Sequence, residues 1–167
     1  MQKPEPSAEH RLLLSMVGTW DFESECDMGP EQEPMKQAGV ETVRALGEVW
    51  VVSEWVTNDA RLGEHRSLMT LGFDPAQERF VGSFHTSMMP FLWVYNGAFD
   101  SEALASGRQR IVLDTTGPDF SGAGGMAPYQ DIFEFVDEQT RTLTSLACRP
   151  SGEWVPFMRT VFRRRPE

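Results

Sequence analysis

The chain has 167 residues, 40% hydrophobic and 11% aromatic, which is enough for one packed core; one domain is expected over 1–167, with residues 1–6 flexible. Fifteen Lys and Arg against 25 Asp and Glu give a formal net charge of −10, a field that repels phosphate backbones and anionic headgroups and argues against nucleic acid and membrane surfaces as partners. No basic-then-apolar leader opens the sequence and no apolar run approaches the roughly 20 residues of a membrane span, so a cytoplasmic location is expected.

Residues 7–17 read as a short helix. Ser7 is a capping residue, Glu9 suits the first turn, and Leu12, Leu13 and Met16 make an apolar face that ends at Gly18. From Trp20 the period changes to two: Trp20, Phe22, Ser24 and Cys26 share one face, and Asp21, Glu23, Glu25 and Asp27 the other. Strands are then expected at about 19–28, 38–46, 49–58, 66–74, 78–86, 91–99, 107–116, 130–137, 141–149 and 153–164, with no helix of useful length after residue 17. Cys26 and Cys148 are the only cysteines, with no CxxC and no histidine at metal-ligand spacing, so two buried free thiols and no metal are expected.

Many consecutive antiparallel strands favour closure, which removes exposed edges. The expected fold is all-β: an up-and-down, lipocalin-like barrel of about ten strands with the helix plugging one end. Loops after even strands are short (46–48, 74–77, 137–140 and the longer 100–106), whereas those after odd strands are mostly long (29–37, 59–65, 87–90 and 117–129). The long set, rich in Met28, Met35, Met88, Met89, Phe91, Phe120 and Met126, is expected to frame a mouth opposite Trp20. If the last strand pairs with the first, Arg159 and Arg163 face Glu23 and Glu25, and Trp154, Met158, Thr160 and Phe162 point inward.

A helix leading into Gly18-Thr19-Trp20 resembles the calycin group of lipocalin-like barrels, in which that Trp packs across the floor. Over nearly its full length the chain also resembles the DUF1579 family of bacterial proteins of unknown function. The carrying segments are Val17–Trp20, Met28–Pro30, Gly39–Gly47, Trp50–Glu54, Met69–Pro75, Arg79–Gly82, Leu92–Tyr95 and Phe157–Arg164. The resemblance implies a lipocalin-like barrel and brings no substrate or catalytic residue with it.

Function therefore rests on individual side chains. Glu54 lies in the most apolar strand, beside Trp50, Val52 and Val56; pointing inward, it is either a base or a ligand anchor, or a structural partner of Arg44. His85, with Thr86-Ser87-Met88-Met89 following, lies near the mouth as an acid/base candidate or a hydrogen-bonded rim residue. Trp93, Tyr95 and Met158, with Trp50 or Trp55 according to strand parity, are expected to line the cavity. No cofactor is expected. Nitrobindins, ten-stranded calycin-like haem barrels, carry a longer glycine pattern after the Trp and a histidine near the C-terminus, and this chain has no histidine from Gln130 onward. The glycines of 117–125 precede a strand rather than a helix, so they form a flap and not a phosphate loop.

The leading expectation is binding of a small apolar or amphipathic molecule in the barrel. The alternatives are an isomerase- or hydrolase-type enzyme using Glu54 or His85, and a homodimeric interaction module with a filled core.

Overall fold

The computed structural model describes residues 3–59 and 63–166. Ten antiparallel strands follow helix α1 (Ala8–Leu14): β1 (Gly18–Cys26), β2 (Met35–Leu46), β3 (Trp50–Asp59), β4 (Gly63–Asp74), β5 (Arg79–Thr86), β6 (Met89–Phe99), β7 (Gln109–Pro118), β8 (Met126–Phe135), β9 (Thr140–Cys148) and β10 (Trp154–Arg164). Each strand pairs with its sequence neighbours and β10 returns to β1, closing the barrel.

Inward parity follows from the registers. Trp20 and Phe22 lie opposite Glu41 and Gly39 of β2, Glu41 opposite Trp55 of β3, and Phe162 of β10 opposite Phe22. Arg163, opposite Asp21, donates diagonally to Glu23 at 3.1 Å, while Glu25, opposite Arg159, takes Lys36 at 3.7 Å. Met158, Thr160 and Phe162 point inward as expected. Trp154 does not: a bulge between Pro156 and Met158 shifts the parity and leaves its side chain 37% exposed.

The helix seals the end near Trp20. Leu12, Leu13 and Met16 are buried, and the Trp20 indole N–H donates to the Met16 carbonyl at 2.8 Å. His10 Nδ1 accepts from the Ser7 N–H at 3.0 Å, which leaves Nε2–H to donate to Phe73 O of β4 at 3.0 Å. Arg164 donates to the carbonyls of Ser15 and Val17, each at 2.6 Å, so the last strand grips the helix end. Gly18 is needed there on two counts: its φ is +137°, and a Cβ would lie 2.6 Å from Arg164 Nη1.

The loop asymmetry is weaker than the sequence suggests. Residues 27–34 and 119–125 are long loops at the mouth, but β5 and β6 run to Thr86 and from Met89, leaving a tight turn. β3 and β4 continue to Asp59 and from Gly63, because ladder bonds extend a hairpin even where side chains are polar; the rest of the expected 59–65 loop lies outside the described residues. A second helix, α2 (Ser101–Ala105), occupies the longest floor connection, capped by Asp100 accepting from Glu102 N and Ala103 N at 3.0 Å each. One seam is short: β6 and β7 pair only from Asn96 opposite Asp114 to Phe99 opposite Ile111, and toward the mouth the two strands separate.

Candidate functional site

Glu41 and Asp131 each anchor a polar cluster inside the barrel. The first is near the floor. Glu41 of β2 and Arg141 of β9, no more than 1% exposed, form an ion pair; Glu41 Oε1 also accepts from Ser53 at 2.5 Å, and Ser53 Oγ accepts from the Trp55 indole at 2.7 Å. The Arg141 guanidinium lies 4.5 Å from the Trp20 ring centroid and 4.0 Å from that of Phe162, while Arg164 lies 4.1 Å from Trp20. Burial, and then the Arg164 charge, lower the Arg141 pKa to about 9; it still stays charged at neutral pH, and the adjoining Glu41 carboxylate favours that charged form, opposing the lowering. Enclosed by helix, strands and rings, this cluster is a structural tie.

The second lies at mid-height. Asp131 of β8 accepts from the Tyr95 hydroxyl of β6 through Oδ2 and from the Ser145 hydroxyl of β9 through Oδ1, both at 2.5 Å. Burial pushes the Asp131 carboxyl above its ordinary value, with the Ser145 and Tyr95 hydroxyls opposing it. Burial, then the Asp131 charge, pushes the Tyr95 hydroxyl well up, so Tyr95 remains a donor. No ion pair reaches Asp131 among the described residues.

Around and above Asp131 the sealing is incomplete: Trp55, Trp93, Thr115 and Tyr129 remain buried, while other inward side chains do not. The floor residues Trp20, Val43, Val51, Leu71, Phe80 and Phe133 are buried, whereas Ser24, Gln37, Phe84, Asp131, Ala147 and Met158 are half-buried. The walls here are aromatic. Trp55 packs 5.3 Å from Phe22 and 5.9 Å from Phe84; Trp93 packs 5.2 Å from both Phe91 and Tyr129. Thr115 of β7 is buried with its hydroxyl unpartnered, and His65, inward on β4 near the mouth, has an unpartnered Nδ1. A concavity of about 1140 Å³ lies over β1, β2 and β10, but most of its lining, including Glu23, Glu25, Ala38, Arg159 and Val161, faces outward and is not the barrel interior.

The residues expected from sequence divide cleanly. Trp93, Tyr95, Met89 and Met158 belong to the interior, with Trp93 and Tyr95 buried and Met89 and Met158 half-buried. Glu54 does not: it points outward and pairs with Arg66 at 2.9 Å, not with Arg44, which is exposed on the outer face of β2. The parity of β3 puts Trp55 inside, 8% exposed, and Trp50 outside, 38% exposed against Gly72 of β4. His85 is exposed on the outer face of β5. Cys26 and Cys148 are free and half-buried rather than fully buried. Among the described residues no cluster of three or more His, Cys, Asp and Glu is placed to hold a metal, and no helix is long and apolar enough to cross a membrane.

Comparison with solved structures places the barrel among known folds. It superposes on "Rv2717c from M. tuberculosis" with a TM-score of 0.64 at 10% identity, covering 97% of this chain and 100% of that one. It superposes on the "S-type Phycobiliprotein Lyase CPES from Guillardia theta" with a TM-score of 0.59 at 13% identity, covering 97% and 99%. At these identities the likeness is one of fold. No curated protein matches the sequence. The family model described as "Protein of unknown function (DUF1579)" matches residues 5–164, and the chain belongs to that family.

Proposed function

We propose that the protein binds a small apolar or amphipathic molecule in the mouth half of the barrel, with the Asp131–Tyr95–Ser145 cluster meeting its polar end. The observation that carries this reading is the Asp131–Tyr95–Ser145 cluster itself, polar groups with no cation among the described residues, set in an aromatic interior where Phe84, Ala147 and Met158 are half-buried rather than sealed. An apolar wall with a few convergent polar groups is the usual composition of a small-molecule site. A barrel likeness to a phycobiliprotein lyase agrees with such a role without specifying a ligand.

The test uses the purified full chain. Native mass spectrometry should show a retained small molecule or, for protein stripped of it, saturable fluorescence enhancement of the neutral probe N-phenyl-1-naphthylamine that Met158→Trp weakens by filling the interior. A clean apo mass with no probe binding would reject the reading.

A further inference from the structure

Two inward-facing acids of this barrel, Glu41 and Asp131, are treated differently. Glu41 has Arg141; Asp131 has two hydroxyl donors and no cation among the described residues. With one donor on each oxygen, the cluster is arranged around the carboxylate form, which only accepts. Hydroxyls solvate such a charge but do not neutralise it, and an enclosed anion without a counter-charge is costly. Asp131 as a residue is half-buried rather than sealed.

The neighbours add a second, independent observation. Leu113 lies opposite Asp131 and Thr115 opposite Tyr129, so Thr115 is the diagonal inward neighbour of Asp131 on the β7–β8 ladder. Its side chain is buried and its hydroxyl oxygen has no hydrogen-bond partner. It also stands where β6 and β7 begin to part, next to the last pair, Asn96 and Asp114. A carboxylate and an unused hydroxyl acceptor thus share one stretch of interior wall, in an interior that also holds the Trp93–Tyr129 and Trp55–Phe84 ring pairs.

We propose that the molecule this interior takes is an amphiphilic amine, its ammonium group held by the Asp131 carboxylate and the Thr115 hydroxyl and its apolar part lying against the aromatic wall. The assignment rests on the reading that the barrel binds a small molecule, and names the class. An ammonium supplies the missing positive charge and several N–H donors, and aromatic faces favour a cation. A carboxylate or phosphate head would meet Asp131 with like charge. A divalent ion would find one carboxylate and no further cluster of metal-ligating side chains among the described residues. The net charge of −10 draws cations toward the chain.

Displacement of N-phenyl-1-naphthylamine by three ten-carbon compounds separates this proposal from the one beneath it. Decylamine, protonated at neutral pH, should displace the probe at about tenfold to a hundredfold lower concentration than decanol, the span expected for a hydrogen bond to a charged group, and decanoate should be weakest. Asp131→Asn should abolish the preference of amine over alcohol while the probe still binds, and Thr115→Val should reduce it. If the probe binds and decylamine has no advantage over decanol, the amine assignment is overturned and small-molecule binding stands. If Asp131→Asn folds and keeps the preference, the amine is held elsewhere and the assignment again fails. Should that variant not fold, the wild-type ratio decides by itself. If neither probe nor decylamine binds, both readings fall.

Discussion

Glu41 and Arg141 join β2 to β9 across the two strands between them, as an ion pair at the barrel floor with neither side chain more than 1% exposed. Removing one partner leaves the other charged and enclosed, which costs about 3–5 kcal/mol in comparable sites. Glu41→Leu and Arg141→Met should each lower the unfolding free energy read from urea denaturation by an amount of that order, and the double variant should recover most of the loss. Additive losses in the double variant would show that the two side chains act independently.

The raised Asp131 pKa makes a prediction of definite sign. Burial lifts it above 3.8 in the folded chain, so between that value and the higher folded one the native state holds more protons than the unfolded state. This contribution to stability grows as pH falls through the window and is lost as pH rises through the folded value. The stability of wild type relative to Asp131→Asn should therefore shift toward wild type between about pH 7 and about pH 4, read from urea denaturation. A difference that stays flat with pH would mean that Asp131 titrates alike in both states.

Gly117 gives the indole of Trp93 its place, since a Cβ there would lie 2.0 Å from one ring carbon and 2.2 Å from another. Gly117→Ala should displace Trp93 and lower stability by about 1–3 kcal/mol, with altered near-UV circular dichroism. An unchanged aromatic signal would mean that the backbone, not the ring, gives way.

Glu54 and His85 lie outside the barrel, Glu54 bound to Arg66. Glu54→Gln and His85→Ala should leave probe binding at the wild-type level. Loss of binding in either would place the site on the outer face.

What sequence alone reveals here follows from parity. Trp20, Phe22 and Ser24 alternate with acids, so β1 and its closure against β10 are readable. β3 is apolar on both faces, with Val51 and Trp55 inside and Trp50, Val52 and Val56 outside, so period two cannot choose between Trp50 and Trp55; register with Glu41 chooses. Glu41, Arg141 and Asp131 occupy inward positions that look like solvent-facing charges until their neighbours are known. Their one sequence signal is two-residue spacing from Val43, Leu143 and Phe133. Trp154 is misplaced because a bulge has no signature in alternation, and α2 because five residues are too few for a helical period.

The short ladder between β6 and β7 gives the cylinder a weakest clasp. Of all its seams this one is held by the fewest strand pairs, so local fluctuations concentrate there, and the amide protons that β6 and β7 direct into this seam should exchange with solvent ahead of those at the β7–β8 seam. On the proposed reading, a guest too bulky for the loops at the top would have a sideways passage beside Trp93, and the time it stays bound would be governed by how often the clasp springs open.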